Sequence, residues 1–276
     1  MQNTGLSNSP FKSPAEVVQH LGAVQSQDFA AAKWSLGLRM QKATDKLVEE
    51  AFNRGDFLRT HIMRPTWHFV MPQDIRWMQQ LTAFRVKKTL APYNQKLGIT
   101  QEMLTQSKKV ITKALQGKRF LTRAELAGQL EETLKTSIRG QRLSHILSHL
   151  ELDALICSGP LRGKQFTYAL LDERTSNAKQ LGLDEALEQL ALKYFNGHGP
   201  AQVKDFAWWS WLTMKDAQQG VDLAKAELTE ENVDGKIYWS AQKNHPKKLE
   251  EPQAFLLSVY DEYVLSYKDR SAYSEE

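Results

Sequence analysis

The chain has 276 residues, of which 41% are hydrophobic and 25% charged, a balance that suits packed cores and excludes a disordered or fibrous polymer. No stretch approaches the ~20 consecutive apolar residues of a membrane span, and the opening MQNTGLSNSPFKSP lacks the apolar centre of a secretory signal, so a cytoplasmic protein with no membrane partner is expected. The net charge of +4 decides little, while the single cysteine, Cys157, excludes an internal disulfide and, with no second Cys or close His cluster, a conventional zinc site; no metal or cofactor is expected.

In chain order, Ser13-Pro14-Ala15-Glu16 predicts a helix start with a capping box and proline at the first helical position, and Val17, Val18, Leu21 and Val24 supply its buried face. Helices are expected through FAAAKWSLGLR and through DKLVEEAFN to Gly55, then two strands, FLRTHIM and TWHFVMP, around Arg64-Pro65. On the first strand Leu58, Thr60 and Ile62 share one face and Arg59, His61 and Met63 the other. This order predicts a winged helix over 13–72, with a helical connection over 73–99. Residues 54–99 carry eight Lys or Arg against two Asp, so a polyanion is expected on the first two thirds of the chain.

A second winged helix is predicted over 100–172. Thr100 opens its first helix, Thr122 and Glu125 form a capping box at its second, and a third runs from about Arg139 to Leu155 with Arg139, Arg142, His145 and His149 outward. LICS and QFTYALL then form a hairpin whose tip, GPLRGK, presents Arg162 and Lys164 toward phosphates. The third unit, 184–242, repeats the order: Asp184 opens a helix, AQVKDFAWWSW forms a short aromatic one, Thr213 and Asp216 cap another, and Asp234-Gly235 turns a hairpin. Ten acidic residues outnumber five lysines there, so this unit is expected to pack or position rather than grip DNA. Trp67 and the group Trp208, Trp209 and Trp211 read as core. The His145/His149 spacing reads as a helix face rather than a metal site, and Lys108, Lys109 and Lys113 as a solvated face.

Three blocks go further: LGAVQSQDFAAAKWSLGLR, LRTHIMRPTWHFV and DEYVLSYKDR. With the three-unit order they resemble the tandem winged-helix DNA glycosylases of the AlkZ and YcaQ kind. The resemblance implies a mainly α fold with small β-hairpin wings (α+β), three tandem winged-helix units in a C-shaped channel around duplex DNA, and a β-rich C-terminal region. The chain stops six residues after Arg270, so a shortened or truncated member is expected, with 253–276 as the start of that last region. The family's Gln-apolar-Gln catalytic motif falls on Gln25 and Gln27, read as a polar pair at a helix end, with Ser26 departing from the pattern.

Glycosidic cleavage usually draws on a carboxylate and an acid. A glutamine amide is neither, yet its carbonyl can hold a water and its NH₂ can donate to sugar or phosphate. That suffices when the leaving group is already cationic, as in an N3- or N7-alkylated purine. The expected function is therefore a monomeric, monofunctional DNA glycosylase acting on duplex DNA, with Gln25 and Gln27 catalytic. Arg59, His61, Arg64, His68, Arg139, Arg142, Arg162 and Lys164 are the expected DNA contacts. The alternative is a winged-helix regulator or damage sensor without chemistry.

Overall fold

The computed structural model describes residues 2–7, 10–175, 177–241 and 254–271; residue 242, where the expected third unit ends, and residues 253 and 272–276 of the expected C-terminal region lie outside them. Ser13 turns the chain into α1 (Pro14–Leu21), its hydroxyl accepting the Glu16 amide at 3.3 Å. Glu16 returns to the Lys12 amide at 2.7 Å, one residue earlier than a standard capping box requires. Gly22, at φ 78°, ends the helix and releases an extended segment, β1 (Ala23–Gln25). The glutamine pair thus begins on a strand and not at a helix end, a three-residue element too short to announce itself by periodicity. Asp28 caps α2 (Phe29–Gly37), Thr44 caps α3 (Asp45–Arg54), and β2 (Leu58–His61) and β3 (Trp67–Val70) follow. The sheet order β1-β3-β2 places Gln25 and Thr60 on either side of His68.

The long helix α4 (Ile75–Lys96) leads to α5 (Gln101–Leu115), capped by Thr100. Both bonds of the Thr122–Glu125 capping box form where β4 (Leu121–Thr122) meets α6 (Arg123–Leu134). Next come α7 (Gly140–Leu152), β5 (Ile156–Ser158), β6 (Thr167–Leu170) and the short α8 (Leu171–Arg174), with sheet order β4-β6-β5. Then α9 (Leu183–His198) starts from Gly182 rather than at Asp184, and α10 (Val203–Ser210) and α11 (Met214–Ala224) follow, the last capped through Thr213 and the Asp216 amide. Asp234 and Gly235, at φ 50° and 78°, join β7 (Leu228–Val233) to β8 (Lys236–Ala241) in the paired positive-φ turn the dipeptide favours. Near the chain end, α12 (Glu262–Leu265) is a single turn. The fold is α+β, mainly helical with small antiparallel sheets, and winged-helix-like in element order.

One core, around Val17, Leu36, Phe52 and Phe69, fills the first group of elements, and another, around Ile111, Leu126, Ile146 and Ile156, the second. A third joins β2 and α4 to α9, α10 and α11 through Trp77, Tyr194, Phe206 and Trp209. Of the three clustered tryptophans only Trp209 is buried; Trp208 is 41% exposed and Trp211, at φ 63°, ends α10 half-buried. Two seams bind the groups together. Phe166, from the second hairpin, packs edge-on against Phe29 at 5.1 Å. A Cβ at Gly197 would lie 2.7 Å from the His20 carbonyl oxygen and 3.1 Å from the Leu21 Cα, so α9 meets α1 backbone to backbone.

Candidate active site and nucleic-acid interface

The backbone of Gln25 and Ser26 is held from three sides. The Gln25 amide donates to Glu262 Oε1 at 2.6 Å, the Ser26 amide to the Trp67 carbonyl at 2.7 Å, and the Ser26 carbonyl accepts from Arg59 Nε at 3.0 Å. Gln25 is only 7% exposed, Ser26 is fully buried, and Gln27 is exposed just ahead of the Asp28 cap. The Ser26 hydroxyl has no hydrogen-bond partner among the described residues. A position built for an apolar side chain explains this: the serine fits by size and leaves its oxygen unanswered.

Glu262 is the fixed point beneath the motif. Besides Gln25 it accepts from Trp209 Nε1 at 3.1 Å and Ser266 Oγ at 2.7 Å. Burial raises its carboxyl pKa, against the hydrogen bonds of Gln25 and Ser266 and the charge of Arg64. His198, stacked on Tyr194, lies 3.8 Å from it, and burial pulls the imidazole down to about 3, so the ring is neutral. The neighbouring Asp261 is clasped bidentately by Arg39 at 2.8 and 2.9 Å and by Ser35 at 2.7 Å. Burial works against this carboxylate, but the hydrogen bonds and charge of Arg39, with Ser35 and the Tyr263 amide, outweigh it and hold the pKa below the usual value.

The expected DNA contacts divide into two groups. Arg59, His61, Arg64 and His68 are all buried: Arg59 and His61 lie on β2, which packs against α7 and β5 of the second group of elements as well as against its own sheet, and His68 lies on the central strand β3. They therefore do not form a solvent-facing strand edge. His61 Nδ1 meets Glu151, and its ring lies 4.4 Å from Trp67. His68 bonds the Thr66 carbonyl through Nδ1, and burial, reinforced by Arg64, pushes its pKa well below the usual value. Arg64 is also lowered by burial, with the charge of Glu262 opposing the shift. Trp67, read as core, is half-buried at the seam.

The second group stays near solvent with much of its charge engaged. Arg139 pairs with Glu131 at 3.1 Å, Arg142 donates to the Leu97 and Ser137 carbonyls, and Arg162 reaches Glu125 at 2.7 Å and the Phe120 carbonyl at 2.6 Å. Lys164 is exposed on the second hairpin. His145 bonds Asn94 Oδ1 at 2.8 Å, and among the described residues no group of three His, Cys, Asp or Glu side chains could hold a metal ion. Cys157 is buried, its thiol pushed up to about 12 by desolvation. No helix among the described residues is long and apolar enough to cross a membrane.

Sequence reasoning passed over Glu262, Asp261, Glu151 and Arg123. Asp261 and Glu262 open the block DEYVLSYKDR, but adjacent acids ahead of one helical turn look like an ordinary solvated cap; nothing local shows that both are buried.

A winged-helix-like α+β fold that sets Gln25 at the end of β1 and an exposed Gln27 just beyond it, with Arg59 bonded to the carbonyl between them, fits the class of proteins that handle nucleic acids. The family model described as DNA glycosylase AlkZ-like matches residues 18–276, and the chain belongs to that family. It is 26% identical over 258 residues to an interstrand DNA cross-link repair glycosylase of Streptomyces sahachiroi, a match covering 86% of this chain and 66% of that protein. The chain thus spans just under two thirds of that relative's length. Among solved structures it is similar to the Streptomyces sahachiroi DNA glycosylase AlkZ, with a TM-score of 0.73 and 23% identity, over 88% of this chain and 68% of that one.

Proposed function

We propose that the protein is a monofunctional DNA glycosylase, acting as a monomer on duplex DNA, that releases N3- and N7-alkylated purines. The observation carrying this reading is the three-sided clamp on the Gln25–Ser26 backbone, which holds an exposed Gln27 at a defined place without ionising anything. A preorganised amide places water and stabilises developing charge but gives no proton to the leaving group, so the base has to be cationic beforehand. In a cationic purine the C1′–N bond breaks toward a base that leaves neutral, the sugar takes up positive charge, and the water placed by glutamine bonds to C1′ and loses its proton to solvent. Gln25 and Gln27 are the groups proposed to touch that water or the sugar. Lys164, with Arg139 and Arg162 behind their carboxylates, would meet phosphate. The cross-link repair glycosylase among the relatives supports cleavage of an N-glycosyl bond in damaged DNA.

The experiment is release of N3- or N7-methylpurine from methylated duplex, with Gln27→Ala and Gln25→Ala as controls. The expected result is release above spontaneous loss that falls in both variants while duplex affinity is kept. Gln27→Asp should bring an ionisation into the pH–rate profile that the wild type lacks. Wild-type release at the spontaneous rate, or unchanged release in both alanine variants, would leave a DNA-binding protein without chemistry.

A further inference from the structure

The side chains of Gln25 on β1, His68 on β3 and Thr60 on β2 stand in a row on one face of the first sheet. They are not equally close. The Ser26 amide bonds the Trp67 carbonyl, so the adjoining pair, Gln25 and His68, exchanges no backbone bonds, and the Gln25 amide turns outward to Glu262 instead. Side chains of such a pair approach most closely, with Cβ atoms about 5 Å apart, which sets the His68 ring nearer to Gln25 than to Thr60.

Two complementary sets of buried polar atoms stand unanswered beside that glutamine. His68 is fully buried, and its Nδ1 meets the Thr66 carbonyl at 3.1 Å. A carbonyl only accepts, so Nδ1 carries the ring proton and Nε2 presents a bare lone pair, which has no hydrogen-bond partner among the described residues. Burial, reinforced by the charge of Arg64 and then of His61 and Arg59, keeps the ring neutral. Arg64 is the converse case. It is 9% exposed, and Nε and Nη2, the two nitrogens along one side of its fork, are buried donors without a partner among the described residues. Its charge acts on both His68 and Glu262, which places it near the ring beside Gln25 and the carboxylate that holds the Gln25 backbone.

A desolvated acceptor and a desolvated donor edge are answered together by a group that carries N–H and C=O side by side. A primary amide is such a group. The Gln79 amide, which reaches this face at Thr60, spends its NH₂ on the Thr60 hydroxyl and the Glu151 carbonyl, whereas the Gln25 side chain, cross-strand neighbour of His68, ends in an amide at the same corner. That amide has two N–H groups and two lone pairs, so engaging one of each inward leaves one of each for the reactants.

We propose that His68 and Arg64 are positioning residues for Gln25: the His68 Nε2 lone pair takes one N–H of the amide and the open side of Arg64 takes its oxygen, so that Gln25 meets sugar and water in a single orientation. The consequence for the reaction rests on the glycosylase reading above, since the orientation matters only if Gln25 touches the reactants.

The first readout is spectroscopic and independent of activity. Long-range proton–nitrogen correlation spectra should show His68 protonated at Nδ1 and bare at Nε2, and in Gln25→Ala the Nε2 resonance should move while Nδ1 stays. A ring protonated at Nε2, or an Nε2 resonance unmoved by Gln25→Ala, overturns the proposal. The second readout is single-turnover release of methylpurine from methylated duplex. His68→Leu should slow release about tenfold, the scale of one hydrogen bond, at unchanged duplex affinity, and His68→Gln, whose carbonyl can stand where Nε2 stood, should recover most of the rate. Arg64→Leu should also slow release and leave the salt dependence of duplex binding as in the wild type. In a Gln25→Ala background neither change should slow release further, because both act through the same amide. Additive losses, or equal losses in His68→Leu and His68→Gln, would mark a structural role and overturn the proposal. A slope of log affinity against log salt flattened by about 0.9 in Arg64→Leu would assign the open side of Arg64 to phosphate and overturn its part. The two readings stay apart: a shift at Nε2 with no release above spontaneous loss removes the reaction and keeps the orientation, while Gln27-dependent release without a shift removes the orientation alone.

Discussion

The Glu262 carboxylate accepts the backbone amide of Gln25 across 237 positions of the chain, at 2.6 Å and out of contact with water. Removing it orphans Trp209 Nε1 and Ser266 Oγ as well, and each unanswered buried donor costs about 1–3 kcal/mol. Glu262→Ala is therefore expected to lower stability by about 3 kcal/mol in denaturant titrations. A loss below about 0.5 kcal/mol would mean that the carboxylate is not the anchor of this strand.

Asp261 and Glu262, adjacent in sequence, should respond to pH in opposite senses. The Asp261 pKa is held below its usual 3.8, so its stabilisation is complete above that value and is lost as pH falls through the folded pKa. Glu262 is raised above 4.5, so the folded state binds its proton more tightly, and its contribution declines as pH rises from 4.5 through the folded pKa. Thermal melts against pH should show the gap between wild type and Asp261→Asn narrowing at acid pH. The gap for Glu262→Gln should narrow in the other direction. Parallel curves would contradict the assignment.

Ser26 offers a gain. Its hydroxyl is buried without a partner, and Ser26→Ala removes that oxygen without adding volume, so stability should rise by about 1 kcal/mol. Calorimetry decides the sign; a loss would show that the hydroxyl is paired in solution.

On the second hairpin the two basic residues are not equivalent. Arg162 is already engaged by Glu125 and the Phe120 carbonyl, whereas Lys164 is exposed. Lys164→Ala should flatten the dependence of log affinity on log salt by about 0.9, the value for one phosphate. Arg162→Ala should change it less. Identical slopes in wild type and Lys164→Ala would take this hairpin off the DNA.

Glu230 and Glu231 are exposed on β7, and Glu230→Lys with Glu231→Lys should leave the melting temperature unchanged while tightening non-specific duplex binding. Weakened binding by a folded double variant would place this hairpin against DNA through its acids.

Local chemistry was the readable part of the sequence. The Thr122–Glu125 box, the Thr100 and Thr213 caps and the Asp234-Gly235 turn are decided by residues within four positions of one another, and all form where the residue types put them. What escaped were relationships without a local signature. Alternation along β2 correctly separates Arg59 and His61 from Leu58 and Thr60, but it cannot tell that β5 and α7 cover the polar face. The pairings Arg39–Asp261 and Gln25–Glu262 join chain ends, and a buried acid is written with the same letter as a solvated one.

The seam at Gly197 bears on how the molecule meets its substrate. At Gly197 no side chain separates α9 from the end of α1, so no rotatable group is there to absorb a change of angle, and tilting one helix would drive an α-carbon into a carbonyl. The angle between α9 and α1 is thus set at folding. On the proposed function a rigid joint of this kind leaves adjustment to the duplex, and stiff sequences should then bind less tightly than flexible ones.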